Sequence, residues 1–348
     1  MLLRLTARAA SALALASTLA LAVVTPAPAD PPYQPAAIDV VGTGSALTEQ
    51  LIGRFAAEYN ASLPAGDTTS PRLHSWDSTG SSPLTPKAGA TPVPRPYSSN
   101  SGINTLTATT GATVDFARSS RGPEPGDPVN DLFVALAKDA VGWAAPAGGN
   151  APADLPADEL KRIFSCLRTN WRDISPDLPD AEIRPVLPAL PSETRWAFLR
   201  MVGLTGVGPF DAPGPCVTVV ERENQGTDAI LHDPNALVPY SVGHYLGQRY
   251  AGPGRPGDEP GILTPRGING ISSFRPGDDA IEPAYAQAFG HVLYVVVREA
   301  DWTSPDTRGQ ALRAIFGKAG WACRSTPTIR THGFRPLPPT ACGSTTHA

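Results

Sequence analysis

The amino-acid sequence predicts an α/β protein of two lobes, and three observations carry the prediction. A unit of apolar strand, Gly/Ser turn and helix recurs along the chain. A chain of 348 residues, even less an export leader, exceeds what one hydrophobic core usually supports. The strand-to-helix turns would gather at the C-terminal ends of the strands, where α/β proteins bind ligands.

Residues 1–29 read as a secretory signal. Arg4 and Arg8 form a basic start, Ser11 to Val24 an apolar stretch, and Ala27 to Ala29 offer small residues for cleavage. No Cys follows the apolar stretch, so no lipid anchor is expected. No later segment is long and apolar enough to span a bilayer. The prediction is a soluble exported protein, extracellular or periplasmic, and not inserted in a membrane. Its formal charge of −4 disfavours nucleic acid and anionic membrane as partners. Only Lys87, Lys138, Lys161 and Lys318 are lysines among 28 basic residues, a bias toward Arg that forms no phosphate-backbone patch. Neither Cys-x-x-Cys nor His-Glu-x-x-His occurs, so no metal or cofactor is expected. Cys166, Cys216, Cys323 and Cys342 form an even set in an exported chain and allow three disulfide pairings.

The elements follow in order. Ile38 to Val41 reads as a buried strand, and Gly42-Thr43-Gly44-Ser45 as its turn. Leu47, Leu51, Ile52, Phe55 and Tyr59 then share one helical face. Pro64 to Ser99 is Pro/Ser/Thr/Gly-rich and mainly loop, with a short strand near Leu73 to Trp76. "SNSGINTLTATTG" predicts a short capped helix, and Ala112 to Ala117 a strand. "DLFVALAKDAVGWAAPA" predicts a strand pair or one bent strand. "LPADELKRIFSCL" predicts a helix with Leu160, Ile163, Phe164 and Leu167 inward. "EIRPVLPAL" is a strand interrupted by Pro, and "PSETRWAFLRMVG" a helix capped by Ser192. From Cys216 a strand, a Gly turn, a helix and a further strand near Val238 to Gly243 are expected. A Gly/Pro-rich loop, the strand "HVLYVVVREAD", the helix "TRGQALRAIFGKAG" and an irregular tail complete the chain.

Three predicted helices begin at hydroxyl-rich turns: Gly42 to Ser45, Ser99 to Gly102, and Ser192 to Thr194. Helix N-termini offer unpaired N–H groups and partial positive charge, so three converging make an anion cradle. Ser and Thr also cap helices with no ligand at all. The stretch "DFARSSRGP" adds an acid, Asp115, among hydroxyls and guanidinium groups.

In that order and spacing, "VGTGSALTEQLIG", "SNSGINTL", "VDFARSSRGP", "FVALAKDAVGWA", "LPSETRWAFL" and "ENQGTDAI" resemble the phosphate-binding branch of type II periplasmic solute-binding proteins, in exported actinobacterial-type form. The resemblance implies two α/β lobes joined by two crossings, near Lys138 to Pro146 and Val238 to Gly247. Residues 36–138 plus 240–348 would form lobe 1 and residues 139–239 lobe 2. Pairings Cys166–Cys216 and Cys323–Cys342 would then each stay within one lobe. The resemblance implies that Thr43, Gly44, Ser45, Ser101, Gly102, Ser192 and Thr194 face a small anionic solute such as phosphate. Asp115 would accept a hydrogen bond from a protonated oxyanion. It also implies a monomer, without cofactor, delivering solute to an ABC permease.

The chain departs from that pattern at two points. The last turn, usually Ser-Gly-Thr in the family, reads Ser192-Glu193-Thr194, and no Arg stands just before it. Arg118, Arg121 or Arg195 would have to substitute. An inward Glu193 would occupy the anion position itself. The second reading is therefore an extracellular or wall-associated interaction protein that keeps the fold with its ligand site altered or lost. No Gly-x-Ser-x-Gly elbow is present, and no enzyme is predicted.

Overall fold

The computed structural model describes residues 30–205, 212–252, 257–275, 277 and 279–347. The leader read from residues 1–29 lies outside them. Among the described residues no helix is long and apolar enough to cross a membrane.

The chain begins with β1 (Val40–Gly44), a 3-10 turn and α1 (Glu49–Ser62), then β2 (Leu73–Ser75), α2 (Ser99–Ala108) and β3 (Phe116–Ser119). Next come β4 (Asp131–Pro146), β5 (Asp154–Leu155), α3 (Ala157–Phe164), β6 (Arg184–Pro188), α4 (Glu193–Met201), β7 (Thr218–Val220) and β8 (Ala236–Ser241). The chain continues through α5 (Val242–Tyr250), β9 (Leu263–Pro265), β10 (Gly267–Ile268), α6 (Pro283–Phe289) and β11 (Gly290–Arg298). It ends with α7 (Glu299–Thr303), α8 (Thr307–Phe316), α9 (Trp321–Arg324), α10 (Thr326–Thr331), β12 (Arg335–Pro336) and β13 (Thr345–His347).

The main sheet runs β2-β1-β3-β11-β4-β8-β6-β7. On one side β1 pairs in parallel with β2 and β3, and β11 lies antiparallel to both β3 and β4. On the other, β6 pairs in parallel with β7 and β8. Only β4 runs through both halves. Asp131 to Ala140 run beside β11, with Leu136 passed over at a register shift, and Val141 to Ala144 pair with β8. The predicted bent strand is this single 16-residue strand. Every residue of β1 is buried, as expected where helices cover both faces of a parallel sheet.

Two groups of cores follow. In lobe 1, Leu51 and Phe55 of α1 meet Val40, Phe116 and Val295 on one sheet face. Ile103 and Leu106 of α2 cover Ala117, Phe133 and Val296 on the other. Lobe 2 is built on Trp143, Leu160, Phe164, Trp171 and Phe198. Its core also takes Leu263, Ile268, Ile281 and Tyr285. That segment, placed by the sequence in lobe 1, packs on lobe 2 because β9 extends β4 at Ala144 to Pro146.

The second crossing is tied to the first by one carboxylate. Asp139 of β4 accepts hydrogen bonds from Ser241 Oγ at 2.6 Å and from the Gly243 N–H at 2.9 Å. The disulfides are Cys166–Cys216 and Cys323–Cys342.

Local differences have local causes. Leu167 is 63% exposed, because α3 stops at Phe164 and Cys166 turns the chain at positive φ. The expected helix near Thr227 is only a 3-10 turn at Ala229–His232. The tail from Ser325 to Cys342, expected to be irregular, forms α10 and β12, and β12 pairs with β4. Its Pro-rich sequence hides a short edge pairing that β4 makes available; beyond it β13 pairs with β4 as well.

Candidate functional site

The C-terminal ends of β1 and β3 and the N-termini of α2 and α4 meet between the lobes. Ser45 follows β1, and Ser120 follows β3. Their hydroxyls are 3.1 Å apart, and Ser120 Oγ lies 3.3 Å from Ser99 Oγ on α2. The Ser120 N–H donates to Ser99 Oγ at 3.0 Å. All three serines are buried.

Two glycines bring these backbones together. Gly44 has φ +123°, and a Cβ there would lie 2.6 Å from the Arg118 carbonyl. A Cβ on Gly102 would lie 2.7 Å from the Gly44 Cα. The α2 backbone therefore rests directly on the β1 turn, which no larger residue at either position permits.

The helix N-termini are already answered by carboxylates of the same chain. The Ser99 N–H of α2 donates to Glu193 Oε1 at 3.0 Å. Ser99 belongs to lobe 1 and Glu193 to lobe 2, so this bond crosses the cleft. At α4, Glu223 Oε2 accepts from Ser192 Oγ at 2.5 Å and from the Thr194 N–H at 2.9 Å. Each carboxylate sits where the partial charge of a helix N-terminus favours an anion. Burial first, then repulsion by Glu223, pushes the Glu193 carboxyl above its ordinary 4.5, while the Ser99 bond and Arg121 oppose. Burial likewise pushes Glu223 up, against its bonds to Ser192 and Thr194.

The residues singled out in the sequence divide into three groups. Ser45, Ser192 and Thr194 stand where the strands give way to helices, each buried, Ser45 against Ser120 and the other two against Glu223. Ser192 caps α4 through Arg195 N–H, and Thr194 Oγ1 accepts from Asn224 Nδ2 at 2.9 Å. Gly44 and Gly102 let the β1 turn and α2 touch. The others lie apart from the serine cluster. Thr43 is fully buried in β1, and among the described residues its Oγ1 has no hydrogen-bond partner. Ser101 completes a capping box with Ser98. Arg118 is fully buried and donates to the carbonyls of Gly44, Ser45 and Trp76 and to Ser75 Oγ. Arg195 donates to the Pro188 carbonyl.

Asp115 lies at the opposite end of β3 from Ser120. Its carboxylate accepts from the Val41 N–H at 2.7 Å and pairs with Lys87 Nζ at 2.6 Å. Neither side chain of that pair is exposed. The structure does not bring Asp115 to the Ser45–Ser99–Ser120 cluster. Ser120 stands there instead, within the same quoted stretch.

Sequence reasoning also missed Ser99 as a contact and Glu223 altogether. The signal for Ser120 was its place at the C-terminal end of a strand. Glu223 lies after β7, far along the chain from the helix it caps. Outside the Ser99–Glu193 bond a pocket of about 400 Å³ opens, bordered by Asn100, Ser120, Arg121, Glu193, Trp196 and His291. Trp196, 47% exposed, is at its wall, whereas Trp143 is core. Arg121 is spoken for by Asp127 at 2.7 Å and Asn100 at 2.8 Å.

No family model matches the chain, and no curated protein matches it. Solved structures do. One is an ABC-type phosphate transport receptor from Vibrio cholerae, 16% identical, with a TM-score of 0.57 over 86% of this chain and 100% of that one. Another is a Clostridium perfringens protein assigned as the substrate-binding protein of a phosphate ABC transporter, with phosphate bound. It is 14% identical, with a TM-score of 0.59 over 86% of this chain and all of that one. At these identities the likeness carries the two-lobed fold.

Proposed function

We propose that this chain is an exported, non-catalytic binding protein whose interlobe anion cradle is filled from within, so that it works as an extracellular interaction protein and not as a phosphate carrier. The observation that carries the reading is the Ser99 N–H to Glu193 Oε1 bond across the cleft. Glu223 at the neighbouring helix supports it. A free oxyanion would have to displace both carboxylates and tolerate their charge. Export is supported by the leader read from residues 1–29 and by two disulfides, which persist in oxidising compartments. The phosphate transport named for the Vibrio cholerae protein and the permease partner of an uptake system are not carried over, because each presumes a cleft that loads and releases an anion.

The test is calorimetric titration of residues 30–348 with phosphate after exhaustive dialysis. The wild type should give no heat. The variant Glu193→Ala/Glu223→Gln, with the α2 N-terminus freed and the carboxylate charge at α4 removed, should acquire one-site binding. A wild-type site of micromolar affinity, about −8 kcal/mol, would return the chain to the phosphate binders.

A further inference from the structure

A second concavity lies on lobe 1 and shares no lining residue with the cleft pocket. It has a volume of about 670 Å³, within the range of small-molecule sites. Its walls come from α9, α10, β12 and the following Pro-rich segment, and from β4. Four cations line it: Lys138, Arg324, Arg330 and Arg335. No carboxylate does. The chain as a whole carries a formal charge of −4, so this concentration runs against its average.

Among the described residues no carboxylate pairs with these cations. Lys138 and Arg335 are register partners in the antiparallel β4–β12 pair. Like charges directly opposite on one sheet face are destabilising. Among the described residues, neither Lys138 nor Arg330 has a hydrogen-bond or ion-pair partner for its side chain. Arg335 donates to the Ile281 carbonyl at 2.7 Å, and Arg324 to the Ala319 carbonyl. A guanidinium has five N–H donors, so both retain most of theirs. The carboxylate bonded to α10 is Glu58 of α1, which accepts from Thr328 Oγ1 at 2.7 Å. It is paired with Arg54 at 2.6 Å.

Apart from Thr326 the remaining lining is apolar, chiefly Pro336, Leu337, Pro338 and Pro339. The Cys323–Cys342 disulfide holds α9 to the chain that follows this segment, which fixes the wall before any ligand arrives. Planar guanidinium forks match carboxylate and phosphate oxygens. Prolines offer a rigid apolar surface. We propose that this groove binds a small organic polyanion, an apolar body carrying two or more carboxylate or phosphate groups. Such a ligand would supply the negative charge that the protein withholds from Lys138 and Arg335.

The experiment is calorimetric titration of residues 30–348 with benzene-1,3,5-tricarboxylate, and in parallel with inorganic pyrophosphate. The tricarboxylate should bind at one site with a dissociation constant of roughly 100 µM or tighter. Its affinity should fall as salt screens the charges. Lys138→Ala/Arg330→Ala should weaken it at least about tenfold while the melting temperature holds or rises, since neither side chain has a partner to lose. Equal affinity in wild type and double variant would overturn the proposal, as would an absence of saturable binding by both probes. Pyrophosphate binding as tightly as the tricarboxylate would overturn the apolar half of the ligand assignment. These variants change no residue that lines the cleft pocket, so the outcome can be told apart from that of the phosphate titration.

Discussion

At its N-terminal end β3 follows Asp115, and at its C-terminal end it delivers Ser120, about 16 Å further along an extended chain. Asp115 is wholly buried, and its charge is matched by Lys87, by Arg308 at 3.4 Å and by the Val41 N–H. Ser120 is neutral and meets two other hydroxyls where two helices begin. Both ends bury polar atoms, but only one does so between the lobes. The difference teaches that a polar residue at a strand end is a site residue only at the end where the helices start. At the other end the same chemistry serves stability.

The largest effect is therefore expected from Asp115. Asp115→Ala leaves the Lys87 ammonium buried and unpaired, which should cost about 3–5 kcal/mol. Guanidinium unfolding would read it. Lys87→Met/Asp115→Leu should restore most of the loss, since a buried ion pair is replaceable by packed apolar groups. A loss far below 1 kcal/mol for Asp115→Ala would remove the structural role and break the comparison. Its phosphate titration should match the wild type.

The cleft end responds to pH. Glu193 and Glu223 both have carboxyls raised above 4.5 by burial. A raised carboxyl holds its proton longer in the folded chain than in the unfolded one. Its stabilising contribution is complete below pH 4.5 and is lost as the pH climbs through the raised values. The slope is at most about 1.4 kcal/mol per pH unit for each proton. Melting temperature should accordingly fall as the pH rises above 4.5 in the wild type, and fall less in Glu193→Gln/Glu223→Gln. Parallel curves for the two proteins would mean that burial does not raise these carboxyls.

Much of this was legible in the sequence, and the part that was not has a physical reason. The strand–turn–helix units, the hydroxyl-rich turns and the odd Glu193 could all be read from residues close together in the chain. Asp115 fits an anion site and a buried ion pair equally well by type. Its partner Lys87 sits in a Pro-rich loop whose sequence gives no hint that its side chain turns inward. Glu223 follows a short strand, and only the parallel β6–β7 pairing carries it to the start of α4. Contacts made by tertiary pairing leave no local pattern to find.

The smallest effect is expected from Ser120→Ala, and it sharpens the comparison most. In the wild type it removes a hydroxyl shared by Ser45 and Ser99, at a cost of about 1 kcal/mol. It should change no ligand response there, because Glu193 already holds the Ser99 N–H. In the Glu193→Ala/Glu223→Gln background the same change should weaken phosphate several-fold, as one hydroxyl donor leaves the cradle. Asp115→Asn in that background should leave the affinity where it was. If Asp115→Asn weakens phosphate more than Ser120→Ala does, the two ends of β3 exchange roles. The carboxylate would then have to communicate with the cleft through the strand itself, since its own hydrogen bonds lie at the far end of it.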